Sequence, residues 1–288
     1  MEALETFGQL LVSGILIGLV YALVAVGLTL IFGVMNVVNF AHGEFLMLAM
    51  YATLGLSLIG LNPIFALPFA AIALFAFGVV VYRLVIRRLL DGPIEATMFG
   101  TFGMLVLLQG AAQALFSSDF SSVTNRPFQG TLRWGAINVP EAALAEGAGA
   151  LLLTGALFWF IERTETGRAM RALAEDRVAA TLMGIDTQRM NALAFGLGSA
   201  CVGAAGALLM LSYPVFPTVG STFALTAFVV VSLGGFGSVA GALIAALLVG
   251  VLEVLSGFYL SPEVKMIPVY LLYLVVVFVR PTGLLGRR

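Results

Sequence analysis

The sequence predicts an all-α, polytopic membrane protein. Three observations carry that expectation: 61% of the 288 residues are hydrophobic, only 10% are charged, and mean hydropathy is +1.08. A soluble domain carries about 25% charged residues. A soluble fold of this size cannot hide so much apolar surface, so the solvent for most of it must be lipid. Eight or nine membrane segments are expected in a single domain, residues 1–288, with one or two helices broken or re-entrant. The net charge of −1 adds nothing to this, and no nucleic-acid partner is implied.

The first segment, 8–32, is long enough for a tilted span. Acids precede it where a secretory signal needs basic residues, and its apolar run is too long for a signal core, so it reads as a membrane helix. Gly14 and Gly18 stand at GxxxG spacing. That spacing permits close helix contact, although such pairs also arise by composition alone. Residues 33–44 then place Asn36, Asn39, the one histidine (His42), Gly43 and Glu44 between two apolar runs. A second helix is expected over 45–59, and Asn62-Pro63 makes a turn. A third, over 64–86, ends in Arg83, Arg87 and Arg88. Asp91-Gly92-Pro93 turns the chain into a fourth helix over 95–116.

Residues 117–147 read as a polar loop, and 148–161 as a fifth helix short enough for its first turn to begin earlier. The segment 162–190 holds about a third of the charged residues in about a tenth of the length. A sixth helix over 191–212 ends at Tyr213-Pro214 and Phe216-Pro217. Residues 222–232 make only half a span and break at Gly234, Gly235, Gly237 and Ser238. Helices over 239–255 and 264–279 follow, separated by Ser261-Pro262. Glu253 is expected near the outer end of its helix, where a charge costs less.

Orientation follows from Lys and Arg placement. Arg83, Arg87, Arg88, Arg163, Arg168, Arg171, Arg177, Arg189, Arg280, Arg287 and Arg288 fall on one side, and only Arg126, Arg133 and Lys265 on the other. The first side is therefore expected to be cytoplasmic. The N-terminus and the 117–147 loop are expected outside, with 162–190 and the C-terminus inside.

No catalytic constellation is visible. His42 has no second His or Cys for a metal, Cys201 is the lone cysteine, and no Gly-Lys-Ser phosphate loop exists. If ATP drives this protein, another chain binds it; no cofactor is implied. In the charged segment, Thr166 is expected to cap a helix over 167–183 and Gly184 to end it. Asp186 or Thr187 then caps the next helix. Arg171 and Glu175 share a face, and Ala179 with Ala180 leaves a smooth surface for a partner's groove. The other reading is an ordinary loop solvated by its own charges; the mixed signs argue against a lipid-binding basic patch. A charge in mid-bilayer costs on the order of 2.5–3.5 kcal/mol, so Glu44 must face protein or a wet cavity. The Asn36–Glu44 stretch is either a helix break beside a pathway, or a place where Asn39, His42 and Glu44 form a structural knot or lie at the cytoplasmic interface. The 234–238 stretch is either a second break or a site of close helix packing.

Five stretches carry a family resemblance: Asn39-Phe40-Ala41-His42-Gly43-Glu44, Arg168-Ala169 through Ala174-Glu175-Asp176, Met183-Gly184-Ile185, Leu233-Gly234-Gly235-Phe236-Gly237-Ser238 and Pro281-Thr282-Gly283-Leu284-Leu285-Gly286. Together, and in this order, they resemble the LivH-type permeases of high-affinity branched-chain amino acid ABC importers. That family also includes permeases for urea, short amides and other small solutes. The resemblance implies pairing with a LivM-type permease, two cytoplasmic ATPases, a periplasmic substrate-binding protein and a bacterial inner membrane. It implies broken helices, with Asn36, Asn39, His42, Gly43, Glu44, Gly234, Gly235, Gly237 and Ser238 at the breaks or pathway. It also implies a cytoplasmic coupling helix with Arg168, Arg171, Glu175, Asp176, Ala179, Ala180 and Gly184 toward the ATPase. Val178 stands where the wider importer motif has Glu. A stand-alone urea or amide channel, needing no partner, is the rival expectation.

Overall fold

Within lipid every backbone N–H and C=O must find its partner in the protein, so the chain is built from helices. The computed structural model describes residues 2–123, 127–135 and 137–286. Arg126, Arg287 and Arg288 lie outside the described residues, and so does the side chain of Trp134. The helices are α1 (Glu2–Met35), α2 (His42–Leu58), α3 (Pro63–Val81), α4 (Arg87–Leu89), α5 (Ile94–Phe116), α6 (Glu141–Arg163), α7 (Glu165–Glu175), α8 (Arg177–Leu182), α9 (Thr187–Leu209), α10 (Val219–Gly234), α11 (Val239–Tyr259) and α12 (Ile267–Val279). A π-helical turn, Tyr82–Ile86, joins α3 to α4. Among the described residues, six continuous runs are long and apolar enough to cross a membrane: α1, α3 through α4, α5, α6, α9 and α11. Helices α10 and α12 are apolar but shorter.

One hairpin departs from the all-helical expectation. Strands β1 (Thr131–Trp134) and β2 (Ile137–Pro140) pair antiparallel, with Thr131 opposite Pro140. Gly135 turns the hairpin at φ +64°. The connection after α5 therefore ends at Pro140, not at 147. Its last residues wind into α6 because they pack: Gly147 meets Leu16, and buried Glu146 accepts from Ser212 Oγ.

Helices α1 and α9 form the centre. Most of each span is buried, whereas α5 is the most exposed. Small residues set the crossings, as membrane packing favours. Gly14 and Gly18 lie against the backbone of α11 at Val251 and Ala246, so the GxxxG spacing does mark a close contact. Gly27 meets Gly198 of α9, and Gly78 meets Ser199. These contacts run α1 antiparallel to α9 and α11. The bundle thus has two ends. At one, Gln9 bonds Asn138 of the hairpin, and Lys265 lies beside α11. At the other, Gly33 meets Gly237, and Arg83 and Arg87 stand near Arg189. We call these the hairpin end and the arginine end.

Two helices start halfway along the bundle. From the arginine end, residues 36–41 run back without helical structure to His42, whose Nε2 reaches the Val24 carbonyl oxygen at 3.0 Å. There α2 begins and continues to the hairpin end. From the hairpin end, residues 210–218 run inward, held by a bridge between Val215 and Ser121, and α10 begins at Val219. It continues to the arginine end. The first turns of α2 and α10 meet where Gly43 touches Gly220. Two half-helices with adjoining N-termini are the discontinuity: the break expected at 33–43 is present over residues 36–41, and the second lies at 210–218, not at 233–238.

A Cβ at Gly43 would overlap the Gly220 carbonyl oxygen, whereas one at Gly55, also in α2, meets nothing. Gly43→Ala is expected to lower stability by about 1–3 kcal/mol through overpacking. Gly55→Ala is expected to be neutral or to gain up to about 0.5–1 kcal/mol from reduced chain entropy. Thermal unfolding of the two variants in detergent checks the pair.

Candidate functional site

The half-helix junction is polar in an apolar bundle. Asn36 closes α1 at φ +54°, a left-handed conformation that Asn tolerates better than most residues. It is exposed at the arginine end and stands apart from the junction. Asn39 is fully buried, and its Oδ1 accepts from the Ala41 N–H at 3.2 Å. This local turn lets the chain enter α2 without a hydrogen-bonding side chain at the cap itself. His42 is fully buried and faces a carbonyl oxygen, which only accepts, so Nε2 carries the proton and donates. Thr101 of α5 donates to the Val38 carbonyl at 3.2 Å, satisfying the extended stretch from the side.

Glu44, fully buried, lies in the first turn of α2, where the helix dipole favours an acid. Its Oε1 accepts from Gln109 Nε2 at 2.9 Å and from Ser221 Oγ at 3.4 Å. Gln109 also donates to Ser221 Oγ at 2.8 Å. The acid thereby ties together α5, α2 and the first turn of α10. Neither Gln109 nor Ser221 is among the site residues expected from the sequence. Gln109 had a signal, a polar side chain inside an apolar helix; Ser221 had none. Asn39 Nδ2, His42 Nδ1 and Glu44 Oε2 are buried and have no partner among the described residues. Buried orphan polar atoms are rare enough that three in one junction single it out.

Gly234, Gly235, Gly237 and Ser238 are elsewhere. They form the tight turn between α10 and α11 at the arginine end and do not adjoin the junction. Gly235 and Gly237 take φ +101° and +82°, and Ser238 caps α11 by accepting from the Gly241 N–H. The C-terminal stretch docks on this turn: Leu284 N–H donates to the Leu233 carbonyl at 2.8 Å and Leu285 N–H to Gly234 at 3.0 Å. Gly283 and Gly235 touch backbone to backbone. Two motifs far apart in sequence are thus one structural unit, which sequence spacing alone does not reveal.

The charged segment is two helices in place of one. Thr164, not Thr166, caps α7, its Oγ1 accepting from the Gly167 N–H at 3.0 Å. Asp176 interrupts the helix with extended backbone and caps α8, accepting from the Val178 and Ala179 N–H groups. Such side-chain competition for backbone donors is what makes Asp a helix-starter more than an interior residue. Gly184 ends α8 at φ +84°, and Asp186 caps α9. Arg171 pairs with Glu162 at 2.7 Å and Arg168 with Glu165. Met170 and Leu173 are buried, so α7 rests on the bundle. Ala180 is buried and Ala179 exposed, so they do not share one smooth surface. The outward surface of α8 and its turn is instead Val178, Leu182 and Met183, 70%, 83% and 83% exposed.

At the hairpin end, Glu253 is buried, not merely peripheral. It accepts from Tyr21 Oη at 2.7 Å and pairs with Lys265 at 2.6 Å, joining α11 to α1 and to the approach to α12.

Glu44→Ala is expected to cost about 1–3 kcal/mol, because it strands the Gln109 amide and Ser221 hydroxyl. Glu44→Gln keeps an acceptor there and is expected to cost less. Thermal unfolding of both in detergent checks this.

Comparison with known proteins places the whole architecture. Residues 10–278 match the family described as branched-chain amino acid transport system / permease component. The high-affinity branched-chain amino acid transport system permease protein LivH of Salmonella typhimurium is 33% identical, over 98% of this chain and 96% of its own. The corresponding BraD of Pseudomonas aeruginosa is 32% identical over 100% and 98%. LivM of Escherichia coli matches a shorter stretch, 35% identical over 43% of this chain and 29% of its own. A solved structure, PsaBC from Streptococcus pneumoniae in complex with Fab, aligns over 98% of this chain and 97% of that one, with TM-score 0.51 and 15% identity. That likeness concerns the fold alone. The match along nearly its full length means that this multi-pass membrane protein belongs to the branched-chain amino acid transport permease family.

Proposed function

We propose that the chain is the permease subunit of an ATP-driven importer that moves branched-chain amino acids, or a related small polar solute, across the bacterial inner membrane. The observation that carries this is the full-length similarity to LivH and BraD, whose names state that transport. In this reading the chain hydrolyses nothing itself. A LivM-type permease completes the path, in keeping with the partial match to LivM. Two cytoplasmic ATPases supply the energy, and a periplasmic protein delivers the solute.

The arginine end is the cytoplasmic one, because Arg83, Arg87, Arg88, Arg163, Arg168, Arg171, Arg177, Arg189 and Arg280 gather there. The hairpin end, with residues 117–140, then faces the periplasm. Counting the two half-helices with their extended partners, the chain crosses nine times, from an outside N-terminus to an inside C-terminus. Residues 162–190 form the coupling segment. Movement of an ATPase against α8 passes through α7, whose buried Met170 and Leu173 press on the bundle. The polar junction at Asn39, His42 and Glu44 is the bistable candidate beside the path, since half-helix ends recur around transport sites.

The docking surface in this reading is the apolar patch of Val178, Leu182 and Met183. In proteoliposomes holding the complete importer, the triple variant Val178→Ser, Leu182→Gln, Met183→Gln is expected to lower ATP-dependent leucine uptake at least about tenfold, as losing a docking hot spot would. Its folding should be unchanged, because all three side chains are exposed. Uptake by the unaltered chain without ATP or partners would instead establish the channel reading. Sidedness is checked by labelling intact spheroplasts in a Cys201→Ser background. Thr131→Cys should react with an impermeant maleimide at once, and Arg177→Cys only after permeabilisation.

A further inference from the structure

A cavity of about 310 Å³ opens at the arginine end, between the π-helical turn Tyr82–Ile86 and the start of α9. Its charged lining is Arg83, Arg87 and Arg189 against the one carboxylate of Asp186. That carboxylate is already committed. One oxygen accepts from the Gln188 and Arg189 N–H groups, and the other pairs with Arg189 Nε at 3.2 Å. Arg83 and Arg87 have no carboxylate within ion-pair distance among the described residues. The cavity therefore presents two uncompensated guanidinium groups above buried Tyr82. π-Helical turns are rare and concentrate at functional sites.

The outer surface leading to this cavity is apolar. Ile72, Val80 and Leu84 are all exposed and recur at multiples of four residues along the same helical run. Arg83 and Arg87 lie in the π-helical turn and just after it, at the end of the same helical run. An apolar ridge that ends in unpaired guanidinium groups matches one kind of ligand: an acyl chain carrying a phosphate. We propose that the cavity is a site for an anionic phospholipid, its phosphate held by Arg83 and Arg87 and its acyl chains lying along Ile72, Val80 and Leu84. Guanidinium forks match phosphate oxygens in pairs, and basic pockets between membrane helices on the cytoplasmic side take anionic head groups. The acidic surface of a partner subunit would satisfy the arginines but not the ridge. Bound there, the lipid braces α3 against α9, beside the turn that follows α8. The proposal rests on the arginine end facing the cytoplasm, as proposed above, but not on what the chain transports.

Native mass spectrometry of the purified full-length chain, with phosphatidylglycerol or phosphatidylethanolamine added, tests it. Phosphatidylglycerol should be retained preferentially and should raise the unfolding temperature more than phosphatidylethanolamine does. The pair Arg83→Gln, Arg87→Gln should weaken phosphatidylglycerol retention about twenty-five-fold, at roughly fivefold per arginine. The pair Arg83→Lys, Arg87→Lys, which keeps the charge but not the fork and guards against a folding artefact, should retain more than the Gln pair and less than the unaltered chain. Equal retention by the Gln pair, or no thermal preference in the unaltered protein, would overturn the assignment. Displacement of the lipid by millimolar inorganic phosphate would make this a soluble-phosphate site and overturn it too. So would loss of an ATPase subunit from the assembled complex of the Gln pair while lipid retention held.

Discussion

The structure depends on how the chain satisfies its backbone where it is not helical. Residues 36–41 and 210–218 enter the bundle from its two ends, and their buried residues, among them Val37, Asn39, Ala41 and Val215, lie where water does not supply partners. Each extended stretch is served locally. Asn39 accepts from Ala41, Thr101 donates to Val38, and Val215 exchanges two hydrogen bonds with Ser121. Only with those groups satisfied do α2 and α10 start at mid-depth, and only because Gly43 and Gly220 lack side chains do their first turns meet. Glu44 then finds both Gln109 and Ser221 within reach. A charge that would be costly in lipid becomes a tie between three helices.

The two ends of the bundle are built differently. At the hairpin end, polar pairs do the joining: Gln9 with Asn138, and Glu253 with Tyr21 and Lys265. At the arginine end, backbone lies on backbone, with the C-terminal turn docked on Gly234 and Gly235. The α7–α8 pair rests on this end through the buried side chains of Met170, Leu173 and Ala180, while its far side offers apolar residues to solvent.

Much of this was legible in the residues. Composition and apolar run length determine a helical membrane protein, because no soluble packing accommodates so few charges. Gly14 and Gly18 announce a close crossing, and the fourth helix is marked within one residue by Pro93 and Ser117. Gly184 and Asp186 stand where a C-cap and an N-cap belong, since those roles rest on local backbone chemistry. Local rules did less well with Thr164 against Thr166, two capable caps two residues apart, and with Asp176, whose preference to start a helix won over continuing one.

What only the tertiary structure decided is which polar groups meet. Glu44 could be recognised in the sequence as an acid needing company, but Gln109 and Ser221 are 65 and 177 residues away. Glycines at 234–238 looked like a break and are a turn, because the C-terminal stretch supplies its missing hydrogen bonds. Periodicity and composition report how a segment meets its solvent. They are silent on long-range partners, since a helix that buries a polar side chain and one that exposes it to a wet surface have the same spacing. The sequence determined the lipid solvent, most of the helices and the family; the fold decided that two half-helices meet at Gly43 and Gly220, because that contact exists only once the bundle has closed around it.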